Sequence, residues 1–321
     1  MFQQLLTITR NTFTESTRQP IFVVLLLCGL GALVINPAIS ANTLEDDTRQ
    51  MINMGMSSFA LAGIFLVSFT ATSVFSDEIE KRTALTVISK PVNRPVFVLG
   101  KFLGVAAALT LAYWTWAVVF LLTVRHEVLE RASDPADWPV VIFGVAAGLI
   151  AFGLATLGNY FYRWVFNSTI SIALAVSLTI AWLLVLLVNK QWQLQSPLTD
   201  IDWQLLAGLA MIFIALLFLT SVAIAASTRL GQIMTLIVCL AVAAAGTINE
   251  QLLREAADSS IIAWVVHTAL PNWQLFWPAD ALTQEHAFAP GYLLKIGLYG
   301  LMYVLATLAL AVSLFQNREM S

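Results

Sequence analysis

Residues 57–124 read SSFALAGIFLVSFTATSVFSDEIEKRTALTVISKPVNRPVFVLGKFLGVAAALTLAYWTWAVVFLLTV, two apolar runs on either side of a charged segment. An α-helix rises 1.5 Å per residue, so about 20 apolar residues cross ~30 Å of hydrocarbon. The runs at 57–76 and 97–124 are therefore predicted to be membrane-spanning helices. The charged segment between them is predicted to lie outside the bilayer.

The same pattern continues along the whole chain. Hydrophobic residues make up 59% of it and charged residues 11%, with a mean hydropathy of +0.82, whereas soluble domains contain about 25% charged residues. We predict an all-α, polytopic transmembrane helical bundle with eight spans. Gln232 and Thr235 weaken the seventh, so six or seven spans remain an alternative if one pair is re-entrant. The predicted spans are 20–39, 57–76, 97–124, 140–162, 169–188, 205–226, 230–248 and 292–315.

Charge predicts the orientation of the bundle. With eight spans and both termini in the cytoplasm, ten of the sixteen Lys and Arg residues lie inside, as the positive-inside rule requires. The inner side then carries a net charge of +5 and the outer side −8. Six tryptophans fall at or beyond outer span ends and are predicted to anchor the protein at the interface. They are Trp138, Trp192, Trp203, Trp264, Trp273 and Trp277.

The span centres contain no ionisable residue of the kind that ion-driven transporters use. Lys101 and Lys295 lie near span ends, where a long side chain is expected to reach the interface. The chain also has no G-x-x-x-x-G-K-[ST] phosphate-binding loop. Any ATPase must then be a separate subunit that binds the ATP and Mg²⁺. No catalytic residue and no cofactor are predicted in this chain.

The charged segment has the pattern of a short helix at 77–89. Asp77 precedes Lys81 by four residues and Glu78 precedes Arg82 by four, the favourable order for ion pairs on a helix. Pro91 ends the helix. Each exposed pair contributes only about 0.3–0.5 kcal/mol, so stability does not explain the cluster. A docking element is favoured over a solvated loop.

Four stretches of the sequence resemble one family of transporters. The pattern E-x-x-x-x-T-A-L-x-x-x-x-S-K-P-V-x-R-x-x-F-x-x-G-K-F-L-G resembles the segment after the second span of ATP-binding-cassette (ABC) permeases of the type-2 exporter class. The opening ITRNTFTESTRQPIF is similar to the amphipathic N-terminal elbow helix of that family. ASTRLGQIMTLIVCLAVAAAG resembles its serine-bearing inner loop and the following span. LPNWQLFWPADAL through LFQNREM resembles its last outer segment, last span and tail.

The resemblance implies an organisation for the whole chain. Residues 1–19 would form a cytoplasmic interfacial helix and 20–321 the permease domain, with a coupling helix at 77–89 and an outer interfacial segment at 249–291. The partners implied are an ABC ATPase subunit and a second permease chain, identical or related, in the inner membrane. Many family members have six spans, so the fourth and fifth spans are a departure. The implied ATPase contacts are Asp77, Glu78, Glu80, Lys81, Arg82, Thr83, Leu85, Ser89, Lys90, Pro91 and Arg94.

Other functions remain as alternatives. A non-transporting subunit that transmits ATP-driven force to an outer partner would need the same coupling helix, and only detected substrate movement separates the two. A secondary transporter or channel is disfavoured by the charge-free span centres. His126, His267 and His286 all fall outside near acidic residues, but their spacing does not support a metal site. The sequence does not specify a substrate.

Overall fold

The computed structural model describes residues 1–41, 47–80, 93–129, 136–279, 282 and 288–316. Within those residues the regular elements are helices, apart from an isolated bridge between Val188 and Leu194. The α-helices are α1 (Phe2–Arg18), α2 (Pro20–Ser40), α3 (Asp47–Glu80), α4 (Arg94–His126), α5 (Trp138–Tyr162), α6 (Phe166–Leu186), α7 (Trp203–Ser227), α8 (Gln232–Ser259), α9 (Ile261–Ala269) and α10 (Pro290–Gln316). A short 3₁₀ helix covers Trp273–Phe276.

The prediction of an all-α bundle with eight spans is confirmed. The eight helices α2 to α8 and α10 are long and apolar enough to cross a membrane. The helix α3 starts at Asp47, ten residues before the predicted span, because a helix continues beyond the hydrocarbon wherever its own backbone hydrogen bonds persist. The fourth and fifth spans, α5 and α6, have 25 and 21 residues. At 1.5 Å per residue both are long enough for a full crossing.

Successive spans alternate in direction, which creates two chemically different ends. At one end, Asn167 donates to the carbonyl of Arg18 and Arg229 donates to the carbonyl of Leu314. We call this the basic end. The opposite end contains Asp137, Asp200 and Asp202 at the starts of α5 and α7, and we call it the acidic end. The helix α1 and the last turn of α10 both lie at the basic end.

The centre of the bundle is α4, which together with α7 is the most buried of the spans. Trp116 donates its indole N–H to the carbonyl of Leu26 in α2, over 2.9 Å. A Cβ on Gly29 would lie 2.5 Å from that indole ring, so α2 approaches this closely only because Gly29 has no side chain. On the other side, the Tyr113 hydroxyl donates to the carbonyl of Leu209 in α7 over 2.6 Å.

The prediction of an interfacial anchor is wrong for one of the six tryptophans, Trp273. Trp138 and Trp203 are exposed, as expected for side chains at an interface, but Trp273 is only 6% exposed. Its backbone and Cβ pack against Gly246 in α8, where an added Cβ would come within 3.2 Å of the tryptophan. Trp273 is therefore part of the core, because the chain folds back onto α8 after α9.

The predicted outer segment 249–291 begins with a helical hairpin. The helix α8 continues beyond the apolar span to Ser259, and the nine-residue α9 packs against it. Asn249 holds the hairpin closed by donating to the carbonyls of His267 and Leu270 over 3.2 and 2.9 Å. Nine helical residues extend about 14 Å, so α9 is too short to cross the bilayer.

Candidate functional site at the base of the charged segment

The predicted ATPase contacts lie only partly within the described residues. The backbone of residues 77–80 is helical and completes α3, so the second span runs into the charged segment as one helix. Arg94 begins α4, where its Nη1 donates to the carbonyl of Gln316 over 2.5 Å. The contacts from Lys81 to Pro91 lie outside the described residues. The role of these side chains stays a prediction, and the described structure shows what holds the base of the segment.

The helix α1 packs closely against the first half of α4. Gly100 and Gly104 are one turn apart on the face of α4 that meets α1. A Cβ on Gly100 would lie 2.7 Å from Ile8, and one on Gly104 would lie 2.4 Å from Thr12 and 2.8 Å from the backbone oxygen of Thr9. Small residues allow two helix backbones to approach this closely. The spacing G-x-x-x-G in GKFLG is the sequence signal for the contact.

Lys101 lies between these two glycines, and the prediction that it extends to the interface is wrong. Its side chain is buried, with the residue only 2% exposed, because α1 covers it. The ammonium Nζ lies 3.9 Å from a carboxylate oxygen of Glu15 and 3.4 Å from the carbonyl of Val74. It also lies 5.5 Å from the centre of the Phe97 ring. Lys101 thus contacts α1 and α3 from within α4.

A second contact holds the same end of α3. The Ser73 hydroxyl donates to the side-chain oxygen of Gln19 over 2.6 Å. Gln19 has an extended backbone and separates α1 from α2. Through Gln19 and Lys101, the last described turns of α3 are connected to α1, α2 and α4. The charged segment therefore starts from a joint of four helices.

Replacing Lys101 with methionine tests what holds α1 in place. At 3.9 Å the pair with Glu15 is long, and the Glu15 carboxylate is about one-third exposed. Without the Lys101 ammonium, the partly exposed Glu15 carboxylate should be hydrated by solvent. We expect the free energy of unfolding to change by no more than about 1 kcal/mol, since methionine retains the packing of the lysine stem. Thermal unfolding of both proteins in detergent micelles measures this. A loss of several kcal/mol would show instead that the ammonium contacts hold the joint.

The joint is also bonded to the distant end of the chain. Besides the bond from Arg94 to Gln316, the rings of Phe97 and Phe315 stack with centroids 5.4 Å apart. Arg229, between α7 and α8, donates to the carbonyl of Leu314 over 2.9 Å. These contacts connect the start of α4 to the end of α10, and the end of α10 to the loop after α7.

Comparison with protein families decides which class of membrane protein has this arrangement. A family model described as ABC-2 family transporter protein matches residues 48–230. The match covers more than half of the chain and runs from α3 to the end of α7.

The chain belongs to the ABC-2 family of transporter proteins.

The matched residues of this ABC-2 protein include the whole charged segment and both helices that flank it. They also include α5 and α6, the pair of spans for which the sequence predicted a departure from the family. Comparison with curated protein sequences gave no match. The family assignment makes the chain a multi-pass membrane component of a transport system.

The acidic end of this ABC-2 protein contains a polar network that the sequence did not reveal. Arg125 lies at the end of α4. Its Nε–H donates a hydrogen bond to a carboxylate oxygen of Asp137 over 3.1 Å, and its Nη1 lies 2.9 Å from a carboxylate oxygen of Asp200. The same guanidinium donates to the carbonyls of Val185 and Val188 at the end of α6. Asp137 is fully buried and also accepts from the N–H of Val140 at the start of α5.

Arg125 thus joins the ends of α4 and α6 to the start of α5 and to the turn before α7. A cavity of about 340 Å³ lies beside it, lined by Glu127, Trp182, Lys190 and neighbouring residues. The sequence signal was the Asp-Trp-Pro start of α5, where Asp137 caps the helix, but it does not identify Arg125 as the partner. Among the described residues, no three His, Cys, Asp or Glu side chains lie together as a metal site would require.

Proposed function

We propose that this ABC-2 protein is the permease subunit of an ATP-driven ABC exporter, and that a separate ATPase docks on residues 77–89 and Arg94. ATP and Mg²⁺ would bind in that ATPase. One observation carries the proposal: the charged segment starts where α1, α2, α3 and α4 are in contact with one another. A loop that only connects two spans does not require contacts among four helices at the point where it begins.

The joint supplies a physical route for coupling. Because α3 is one helix from Asp47 to Glu80, a force on residues 77–80 acts directly on the second span. The bond from Ser73 to Gln19, the glycine contacts and the packing of the Lys101 stem would transfer the same force to α1 and α4. Rigid helices that shift against each other convert such a force into alternating access. Movement of the ATPase would thus open and close a pathway between this chain and a second permease chain.

The proposed orientation places the basic end in the cytoplasm and the protein in the inner membrane. Arg10, Arg18, Arg94 and Arg229 lie at this end, whereas Asp137, Asp200 and Asp202 lie at the other. The positive-inside rule favours a cytoplasmic basic end. A soluble ATPase would then have direct access to the charged segment.

The test is purification of the tagged protein in mild detergent, with copurifying chains identified and ATP hydrolysis measured. Exchanging the charges, Glu78→Lys with Arg82→Glu, keeps opposite charges four residues apart, the spacing at which a helix such as the predicted one can form an ion pair. The exchange reverses the sign of the charge at both positions that the ATPase would contact. We expect a stoichiometric ATPase with the wild type and the loss of at least nine-tenths of it with the exchanged variant.

A matched control exists at the acidic end. Glu250 and Arg254 form an i,i+4 pair at 2.7 Å, and Glu250→Lys with Arg254→Glu should leave the copurified ATPase unchanged. If the wild type is recovered as an intact oligomer without an ATPase, the proposal is wrong. Equal recovery of ATPase with both exchanged variants would place its docking site elsewhere.

A further inference from the structure

The cavity of about 340 Å³ beside Arg125 opens at the acidic end of the bundle. Its walls come from the last turns of α4 and α6, from the first turn of α7 and from the chain between α6 and α7. We call it the acidic-end cavity. Its volume equals that of roughly ten water molecules in the liquid, so it has room for a small molecule with about as many non-hydrogen atoms. Pockets that bind small ligands begin at this size.

Part of the wall of the acidic-end cavity is apolar and buried. Leu186 of α6 and Leu205 of α7 line it and are only 5% and 2% exposed. The half-buried Trp182 also lines it, and its ring packs edge-on against Trp114 with the centroids 6.3 Å apart. An aromatic or aliphatic group of a ligand would gain dispersion contacts with this wall.

The two cations that line the acidic-end cavity are already bound within the protein. All three side-chain nitrogens of Arg125 donate hydrogen bonds to protein oxygens, and its guanidinium is paired with Asp200. The ammonium Nζ of Lys190 lies 2.8 Å from a carboxylate oxygen of Glu127. Neither cation is therefore available to bind an anionic ligand.

Asp202 is the charged lining residue that has no ion-pair partner among the described residues. Its Oδ1 atom caps α7 by accepting from the backbone N–H groups of Gln204 and Leu205, over 2.8 and 3.1 Å. The described residues offer no donor to its Oδ2 atom. Because Asp202 is exposed and lines the cavity, this carboxylate lies at the mouth. The cavity thus combines an apolar wall with one carboxylate that lacks a cation.

We propose that the acidic-end cavity binds a small organic monocation, an ammonium group attached to an aromatic or aliphatic body. The ammonium donates to Asp202 at the mouth, as a charge-assisted hydrogen bond. The body packs against Leu186, Leu205 and Trp182, whose indole face also attracts a cation. An inorganic cation would leave the apolar wall without contacts. The binding depends on these side chains and not on the proposed ATPase partner.

The experiment titrates phenethylammonium chloride into the purified protein in detergent micelles, by isothermal titration calorimetry at neutral pH. Phenethyl alcohol is the neutral probe of the same size, and titration into empty micelles corrects for partitioning. Asp202→Asn removes the charge but keeps the helix cap, because asparagine caps helices as well as aspartate does. Glu250→Gln is the matched control, since it removes a carboxylate from the same end outside the cavity. Trp182→Leu tests the apolar wall.

We expect one phenethylammonium to bind per wild-type chain, with a dissociation constant of roughly 1 mM or below. Asp202→Asn should raise this constant about tenfold, the effect of losing a hydrogen bond to a charged group. Trp182→Leu should raise it several-fold, and Glu250→Gln should leave it unchanged.

Three outcomes would overturn the proposal. The first is the absence of saturable phenethylammonium binding to the wild type. The second is equal affinity in Asp202→Asn and Glu250→Gln, which would show that the carboxylate at the mouth does not bind the ammonium. The third is equal affinity of the wild type for phenethyl alcohol, which would show that the cavity does not select a cation.

Discussion

Replacing Arg125 with leucine is expected to lower the free energy of unfolding by about 3–5 kcal/mol, the cost of breaking a buried ion pair by removing one partner. Asp137 is fully buried, so its charge would remain in the protein interior without a cation. The carbonyls of Val185 and Val188 would also lose their donors. Thermal unfolding in detergent micelles, followed by near-UV circular dichroism, measures the loss.

A double variant separates the causes of this loss. Asp137→Asn removes the stranded charge, so Arg125→Leu with Asp137→Asn should recover a large part of the stability, and the difference gives the coupling between the two groups. Lys190→Gln is the exposed comparison. It breaks only the surface pair with Glu127 and should cost no more than about 1 kcal/mol. If Arg125→Leu costs no more than Lys190→Gln, the network does not stabilise the acidic end.

Replacing Gly104 with valine is expected to separate α1 from α4. The added Cβ would lie 2.4 Å from Cβ of Thr12 and 2.8 Å from the backbone oxygen of Thr9. A backbone atom cannot rotate away as a side chain can, so the whole helix must move. We expect a loss of stability of about 1–3 kcal/mol, as for other overpacked sites. The larger effect should be on the position of α1.

Cysteine labelling measures that movement. Ser16 in α1 is fully buried, so a cysteine placed there, in a background where the exposed Cys28 is replaced with alanine, should react slowly with a maleimide. With Gly104→Val the rate should rise at least tenfold. Gly153→Val makes the same substitution in open space and should leave the rate unchanged. An unchanged rate in Gly104→Val would show that α1 does not depend on close packing at this glycine.

The two ends of the bundle show which structural features the sequence patterns predict and which they do not. The charged segment and the Gly-x-x-x-Gly spacing around Lys101 were visible in the sequence. The burial of Lys101 was not visible in the sequence, because the helix that covers this residue lies more than eighty residues earlier in the chain. Arg125 was counted only as one positive charge outside the membrane. Its partner Val185 lies on α6, whereas Asp137 and Asp200 lie just before α5 and α7. Hydropathy contains no information about that pairing.

The sequence by itself determined the helical class, the eight spans and the separation of a basic from an acidic end. The physical reason is that hydrocarbon admits only long apolar segments that satisfy their own backbone hydrogen bonds, and charges must stay outside it. Only the tertiary structure decided that Trp273 is buried, that α1 covers Lys101 and that Arg125 joins four helices. These features depend on how closely distant helices approach, which is set by side-chain shape and by the glycines between them.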